Sequence, residues 1–260
     1  MLDDPRPLDP YNLECEHAVV LGTHIHALRM NEVRLHVERA MAQRQRLRIG
    51  VVNAAKLVNM LSDEPLQHDV RSSDLVLADG MSVVWAANFL NQHLPERVAG
   101  IDLMHEIMGV CDRHGHAAYL LGASEQVSMQ VEQEFRRLYP NARIAGRRNG
   151  YFDSDEEETI AMHIRDSNAD VLFLAMTSPK KENFMGRWGD AMRVPVIHGV
   201  GGSFDVVAGK VRRAPAGFQK LGLEWFYRMM QEPSRLGPRY ARTNYLFLKE
   251  VLNQKFRSAD

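Results

Sequence analysis

Asp79 and Arg97 are the residues from which a chemistry can be argued. Leu75-Val76-Leu77-Ala78 is an apolar run the length of a buried strand, and it ends on Asp79-Gly80. A carboxylate at the C-terminal end of a buried strand stands where open α/β sheets collect their ligands. Gly80 permits a tight turn or the close approach of another molecule. Met81 to Leu90 follows with helical spacing, and a polar, proline-bearing loop then delivers Arg97. Asp79 is therefore read as the chemical centre, with the other motifs holding substrates against it.

Further polar groups fall at predicted strand ends or in the loops beyond them: Asn53, Gly122 with Ser124, Thr177-Ser178-Pro179-Lys180-Lys181-Glu182, and the stretch His198–Asp205. Strand C-termini converge on one edge of a parallel sheet, so these groups could share a crevice. Any one alone is an ordinary strand end, because a loop follows every strand. Gly199-Val200-Gly201-Gly202 is a glycine-rich turn whose N–H groups could hold a phosphate. It is not G-x-G-x-x-G, and no G-x-x-x-x-G-K-[ST] occurs, so neither a dinucleotide fold nor a P-loop is supported. Asp153-Ser154-Asp155 has the form of a metal-binding D-x-D, but three glutamates and a helical pattern follow, and helix capping is the better reading. The eleven histidines show no zinc spacing, and no G-x-S-x-G elbow is present. No metal site is assigned.

The elements that must position these groups alternate regularly. Strands are predicted at 18–22, 48–53, 75–78, 117–121, 142–146, 171–176 and 194–197. Helices are predicted at 31–45, 54–61, 81–90, 101–114, from Ser124 to Tyr139, 155–166 and from Pro179, with a short one after Pro65. This is an α/β pattern: a Rossmann-like, mostly parallel sheet with helices on both faces. Residues 1–17 read as a loose arm of a catalytic body ending near 216. Residues 217–260 read as a helical appendage, two helices broken at Pro233 and near Pro238. The N-terminus lacks an apolar signal core, and no apolar run reaches the ~20 residues of a membrane span. Two cysteines among 260 residues suggest a reducing compartment.

The net charge of −1 hides an asymmetry. After Asp205 there are eleven Lys/Arg against four Asp/Glu, a net +7, so the preceding residues carry −8. In that basic tail Trp225, Phe226, Tyr227, Met229 and Met230 are interleaved with Arg228, and Arg235, Arg239 and Arg242 precede Tyr245-Leu246-Phe247-Leu248. Such a surface suits an anionic membrane interface and equally suits helices packing on the body. No nucleic-acid motif accompanies the charge.

Asn53, Ala78-Asp79-Gly80, Arg97-Val98-Ala99-Gly100-Ile101-Asp102, Leu120-Leu121-Gly122, Gly150-Tyr151-Phe152, Gly199-Val200-Gly201 with Phe204-Asp205, and Arg213-Ala214-Pro215 followed by Gly222-Leu223-Glu224-Trp225 together resemble the WecG/TagA/CpsF glycosyltransferases, glycosyltransferase family 26. The resemblance runs from about residue 18 to the end. It implies a metal-independent, inverting transfer, without a cofactor, from a UDP-sugar to a saccharide on undecaprenyl diphosphate. The enzyme would be cytoplasmic and peripheral on the inner membrane face, serving teichoic acid, capsule or exopolysaccharide synthesis. Asp79 matches the family's proposed base. Asn53 would orient hydroxyls, and Arg97 would offset diphosphate charge. Tyr151 would stack on uracil, Asp205 would accept from ribose, and Gly122, Gly199 and Gly201 would let the backbone approach the nucleotide. Arg228, Arg235, Arg239 and Arg242 would face lipid head groups or the acceptor diphosphate. Two positions depart from the family pattern. Val51 stands where threonine is usual, and Lys181 replaces a pocket glutamine, which points toward a hexose or uronic acid donor. Lys181 would contact a uronate carboxylate or the diphosphate. The alternative is a non-catalytic nucleotide-binding regulator of polysaccharide assembly. Homo-oligomerisation is left open.

Overall fold

A computed structural model describes residues 16–257; most of the expected N-terminal arm, residues 1–15, lies outside them. The chain opens with a hairpin, β1 (His17–Val20) and β2 (Thr23–His26). Then come α1 (Met30–Gln43), β3 (Leu47–Val52), α2 (Ala54–Met60), α3 (Glu64–Arg71), β4 (Leu75–Ala78), α4 (Met81–Phe89) and α5 (Gly100–His114). They are followed by β5 (Ala117–Gly122), α6 (Glu125–Leu138), β6 (Arg143–Arg148), α7 (Glu157–Asp166), β7 (Val171–Ala175), α8 (Lys180–Trp188), β8 (Val196–Gly199) and α9 (Ser203–Val207). The tail forms α10 (Ala216–Lys220), α11 (Glu224–Gln231) and α12 (Pro233–Arg257).

β3 to β8 form one six-stranded sheet in the order β4-β3-β8-β7-β5-β6, and every pairing is parallel. β3, β4, β5, β7 and β8 read as largely apolar runs because both faces are covered, whereas the edge strand β6 carries Arg143, Arg147 and Arg148. Their alternation divides the core. Ile49, Leu77, Leu120 and Phe173 point to the layer of α1, α5, α6 and α9. Leu121, Leu172 and Leu174 point to α7 and α8, and Val52, Val76 and Ala78 point to α2, α3 and α4. The α/β expectation holds, and Asp79 follows directly on β4 at the carboxyl edge of the sheet.

Several local expectations shift. β2 pairs with β1 antiparallel outside the main sheet, and His26 Nδ1 accepts from the N–H of Val76 at 3.1 Å, docking the hairpin on β4. The expected arm therefore gives way to β1 at His17. The turn at Asp153 is a capping box with Glu156 preceding α7.

The tail has three helices where the sequence suggests two. Pro233 begins α12, where a missing N–H costs nothing, and Pro238 forfeits a single bond in the second turn, so the helix continues through it. The far half of α12 packs into the body. Phe247 and Val251 join the core under α2 and α4, and Gln254 accepts from Leu21 N at 2.8 Å and donates to Val19 O at 2.9 Å.

Candidate active site

The site begins with the end of β4. The Asp79 N–H continues the sheet ladder to Val52 O at 2.9 Å. Its side chain turns to the start of α5, where Oδ1 accepts from the N–H of Gly100 at 2.8 Å. The first amides of a helix have no partner within it and favour a negative charge, so α5 presents a fitting donor to this carboxylate. The loop before α5 is pinned by Val98 N to Ala78 O at 2.9 Å. His198 on β8 adds a third tie: Nε2 donates to Gly100 O at 3.0 Å. Burial pushes the His198 imidazole down to about 4, so it is a neutral donor at physiological pH.

Asn53 lies beside this carboxylate. A methyl group on Gly80 would meet Asn53 Cβ at 3.5 Å. The Asn53 Oδ1 caps α2, accepting from Lys56 N at 3.0 Å, which leaves its amide NH2 for other partners.

Behind Asp79 sits a buried charge cluster. Lys56 Nζ donates to Glu182 Oε1 at 2.8 Å and to Val51 O at 2.7 Å, and Lys181 Nζ reaches the same Glu182 oxygen at 3.2 Å. Burial alone raises the Glu182 carboxyl, but Lys56 and Lys181 outweigh it and hold the group at about 2. Burial, reinforced by the Lys56 charge, pushes Lys181 down to about 8 against the pull of Glu182 and Asp79. Lys181 is 6% exposed, and its stem fills the room at Gly199, where a methyl group would come within 2.9 Å of its Cδ and Cε. Gly199 thus makes space for a protein side chain. Gly122, with φ +139°, does the same for β7: a methyl there would lie 2.4 Å from the Ala175 carbonyl. Gly201 keeps its φ of +53° with Lys181 Nζ 3.9 Å from the position of an added methyl.

Arg97 faces the tail. It ion-pairs with Glu224 on α11 and lies 4.0 Å from Asp102, while Arg213 binds Asp102 at 2.7 Å and approaches Glu224 at 3.5 Å. Two guanidiniums and two carboxylates balance there. Arg228 on the same helix lies over the glycine turn, its guanidinium 2.7 Å from where a methyl on Gly202 would stand. Asp205 pairs with Lys210 at 3.3 Å, and Tyr151 is 80% exposed. Arg239 lies near the ring of Tyr240, Arg242 is exposed, and the side chain of Arg235 is outside the described residues. The structure thus gathers Asp79, Asn53, Lys181 and Gly199, and brings Arg228 over the turn at Gly202. It sets Tyr151 outward.

Lys56 carries no signal in the sequence, and Gly100 stands there only within the Arg97–Asp102 motif, since the roles of both depend on contacts across the sheet edge. His198 does carry one: a polar residue within an apolar strand. A cleft of about 680 Å³ at the opposite edge of the strands is lined by Arg44, Arg46, Arg165 and Arg193. Asp170, Asp74 and Asp166 already engage the first three, so this cleft is not the catalytic centre.

A doubly wound α/β protein with a seated carboxylate at its carboxyl edge is a frame on which group-transfer enzymes are built. The sequence model of the Glycosyl transferase WecG/TagA/CpsF family matches residues 18–260, and the chain belongs to that family. An N-acetylglucosaminyldiphosphoundecaprenol N-acetyl-beta-D-mannosaminyltransferase of Bacillus subtilis (strain 168) is 34% identical over 212 residues, covering 80% of this chain and 81% of that protein. The chain is a glycosyltransferase. No helix among the described residues is long and apolar enough to cross a membrane.

Proposed function

We propose that this glycosyltransferase moves a sugar from a UDP-sugar to a hydroxyl of an undecaprenyl-diphosphate-linked saccharide, with inversion and without a metal, in capsule, exopolysaccharide or teichoic-acid-type synthesis. The observation that carries the reading is the seat of Asp79: one oxygen is held by Gly100 and the other is left for a proton. The acceptor hydroxyl attacks C1 of the donor sugar, Asp79 Oδ2 takes its proton, and the C1–O bond to the diphosphate breaks to release UDP. Asn53 orients a hydroxyl with its amide. Arg97 and Arg228 would counter diphosphate charge, and a diphosphate reaching Arg97 would compete with Glu224. Tyr151 and Asp205 serve the uridine, and Gly122, Gly199 and Gly201 shape the turns around it. Lys181 replaces an amide by a cation at the pocket wall, which favours a hexose or uronic acid donor over N-acetylmannosamine.

The tail carries the membrane part of the reading. Tyr245, Leu248, Leu252 and Phe256 recur at helical spacing on α12 and are exposed, beside exposed Trp225 and Met230 on α11. With Arg239 and Arg242 they suit the anionic inner face of the cell membrane. Residues 217–260 would then be a membrane- and acceptor-contacting segment on a body spanning 1–216. UDP release from a panel of UDP-sugars, with a prenyl-diphosphate saccharide as acceptor, tests the reading. Absence of any acceptor-dependent release across the panel would refute it.

A further inference from the structure

β8 lies in the middle of the sheet, between β3 and β7, and alternation along it points His198 toward the α1 and α5 layer. Its neighbours in register are Ile49 and Phe173, both buried and apolar, and its ring meets the Phe173 ring edge-on at 6.4 Å. His198 is 0% exposed. A leucine would fill this place without the cost of burying a polar ring. What the imidazole supplies is the bond from Nε2 to Gly100 O at 3.0 Å. The same residue, Gly100, donates its N–H to Asp79 Oδ1 at 2.8 Å. Gly100 is close to both partners: an added methyl would be in ordinary contact with Val51 Cγ2 at 3.7 Å and with Asp79 Oδ1 and His198 Cε1 at 3.8 Å.

We infer that His198 is a positioning residue of the transfer, acting through Gly100 to hold the first turn of α5 against β8 and so to aim the Asp79 carboxylate. Three ties then set the carboxylate: Val98 to β4, His198 to Gly100, and Gly100 to Asp79. The first is a backbone bond that many sequences could make, and the third uses the Asp79 carboxylate itself. The His198 tie depends on one side chain. The inference rests on Asp79 being the base, and it concerns geometry at that atom only.

The test compares H198Q, H198N, H198L and D79N in the UDP-release assay, with donor KM, kcat and Tm measured for each. The glutamine amide nitrogen reaches the place of Nε2, whereas the asparagine amide reaches only that of Nδ1. H198L is expected to lower kcat by roughly 10²-fold, the usual consequence of a misplaced reacting group, with donor KM changed less than about twofold. H198Q is expected to recover most of kcat, and H198N to behave like H198L. If H198L does not fold, the glutamine and asparagine pair decides the matter alone. Wild-type kcat in H198L or in H198N, or an equal loss in H198Q and H198N, would overturn the inference. So would kcat and KM moving together in step with a lowered Tm. D79N separates the two claims. If it turns over normally, the base assignment fails; if it is inert while the His198 variants are normal, only the positioning role fails.

Discussion

The Oδ1 atom of Asp79 accepts a hydrogen bond from the backbone nitrogen of Gly100 at 2.8 Å. An asparagine oxygen can accept the same bond, so D79N removes the proposed base while leaving the carboxyl edge intact. The expected outcome is a loss of about 10² to 10⁴-fold in kcat, the usual worth of a general base. UDP affinity by calorimetry and Tm should match wild type. A D79N enzyme with more than a tenth of wild-type turnover would remove Asp79 from the mechanism.

Glu182 has two ammonium partners of unequal value. Lys56 is bound at 2.8 Å and also anchored on Val51 O, whereas Lys181 is bound at 3.2 Å with its ammonium weakened by burial. K56M leaves the buried carboxylate with only the longer Lys181 contact and also removes the tie to Val51 O, and should cost about 3 kcal/mol. K181M should cost clearly less, since it removes a buried charge while Lys56 still balances Glu182. Denaturant titration of both variants gives the order, and the reverse order would contradict it.

Acid stability follows from His198 and Glu182. The His198 imidazole drops from 6.5 to about 4 in the fold, so the unfolded chain binds more protons between those values. Stability is full above about pH 6.5 and declines as pH falls toward 4. Glu182 drops from 4.5 to about 2, so its contribution is present above 4.5 and is lost as pH falls through about 2. Lys181 works at the other end: held near 8 instead of 10.5, it lets stability rise as pH climbs between them. Calorimetric Tm against pH should show the decline below 6.5 in wild type. In a folded H198L variant the decline should be shallower, the remainder coming from His105, whose imidazole is also held below its usual range by burial.

Glu224 on α11 holds Arg97 by an ion pair. E224Q removes a carboxylate from the place proposed for a diphosphate, and UDP should bind roughly fivefold tighter, the equivalent of the ~1 kcal/mol of a partly exposed ion pair. α11 loses its anchor in the same step, so proteolysis in the tail should quicken. Weaker UDP binding in E224Q would place the diphosphate away from Arg97.

The two faces of α12 should separate cleanly. Phe247 is 3% exposed and packs into the core, whereas Phe256 is 68% exposed. F247A should cost about 3 to 5 kcal/mol, the range for emptying a buried aromatic site. L248S/F256S should leave Tm unchanged and reduce sedimentation with phosphatidylglycerol vesicles. Undiminished vesicle binding by that double variant would show that this face does not meet the membrane.

The parallel sheet and its carboxyl edge were legible because β3, β4, β5 and β7 are apolar runs ending on polar or glycine residues, a pattern that depends on local sequence alone. Asp79 stood out for the same reason. The β1–β2 hairpin was half legible. Thr23–His26 alternates with two histidines and acquires its meaning only by docking on β4. Gly199 shows why a glycine-rich turn is ambiguous. Its missing side chain reads as room for a ligand, but the occupant is Lys181, eighteen residues earlier in number and adjacent only across the fold. The basic, aromatic tail could be read as membrane-facing or packed. α12 packs with one face and exposes another, a division that appears only once its rotation against α2 is set.

Gln254 closes on Leu21 across a separation of 233 residues. At the ordinary pace of translation those residues take roughly ten to fifty seconds to emerge. Throughout that time the β1–β2 hairpin exists without the glutamine that ties Val19 and Leu21 to α12. These contacts, far apart in sequence, form only after α12 has emerged.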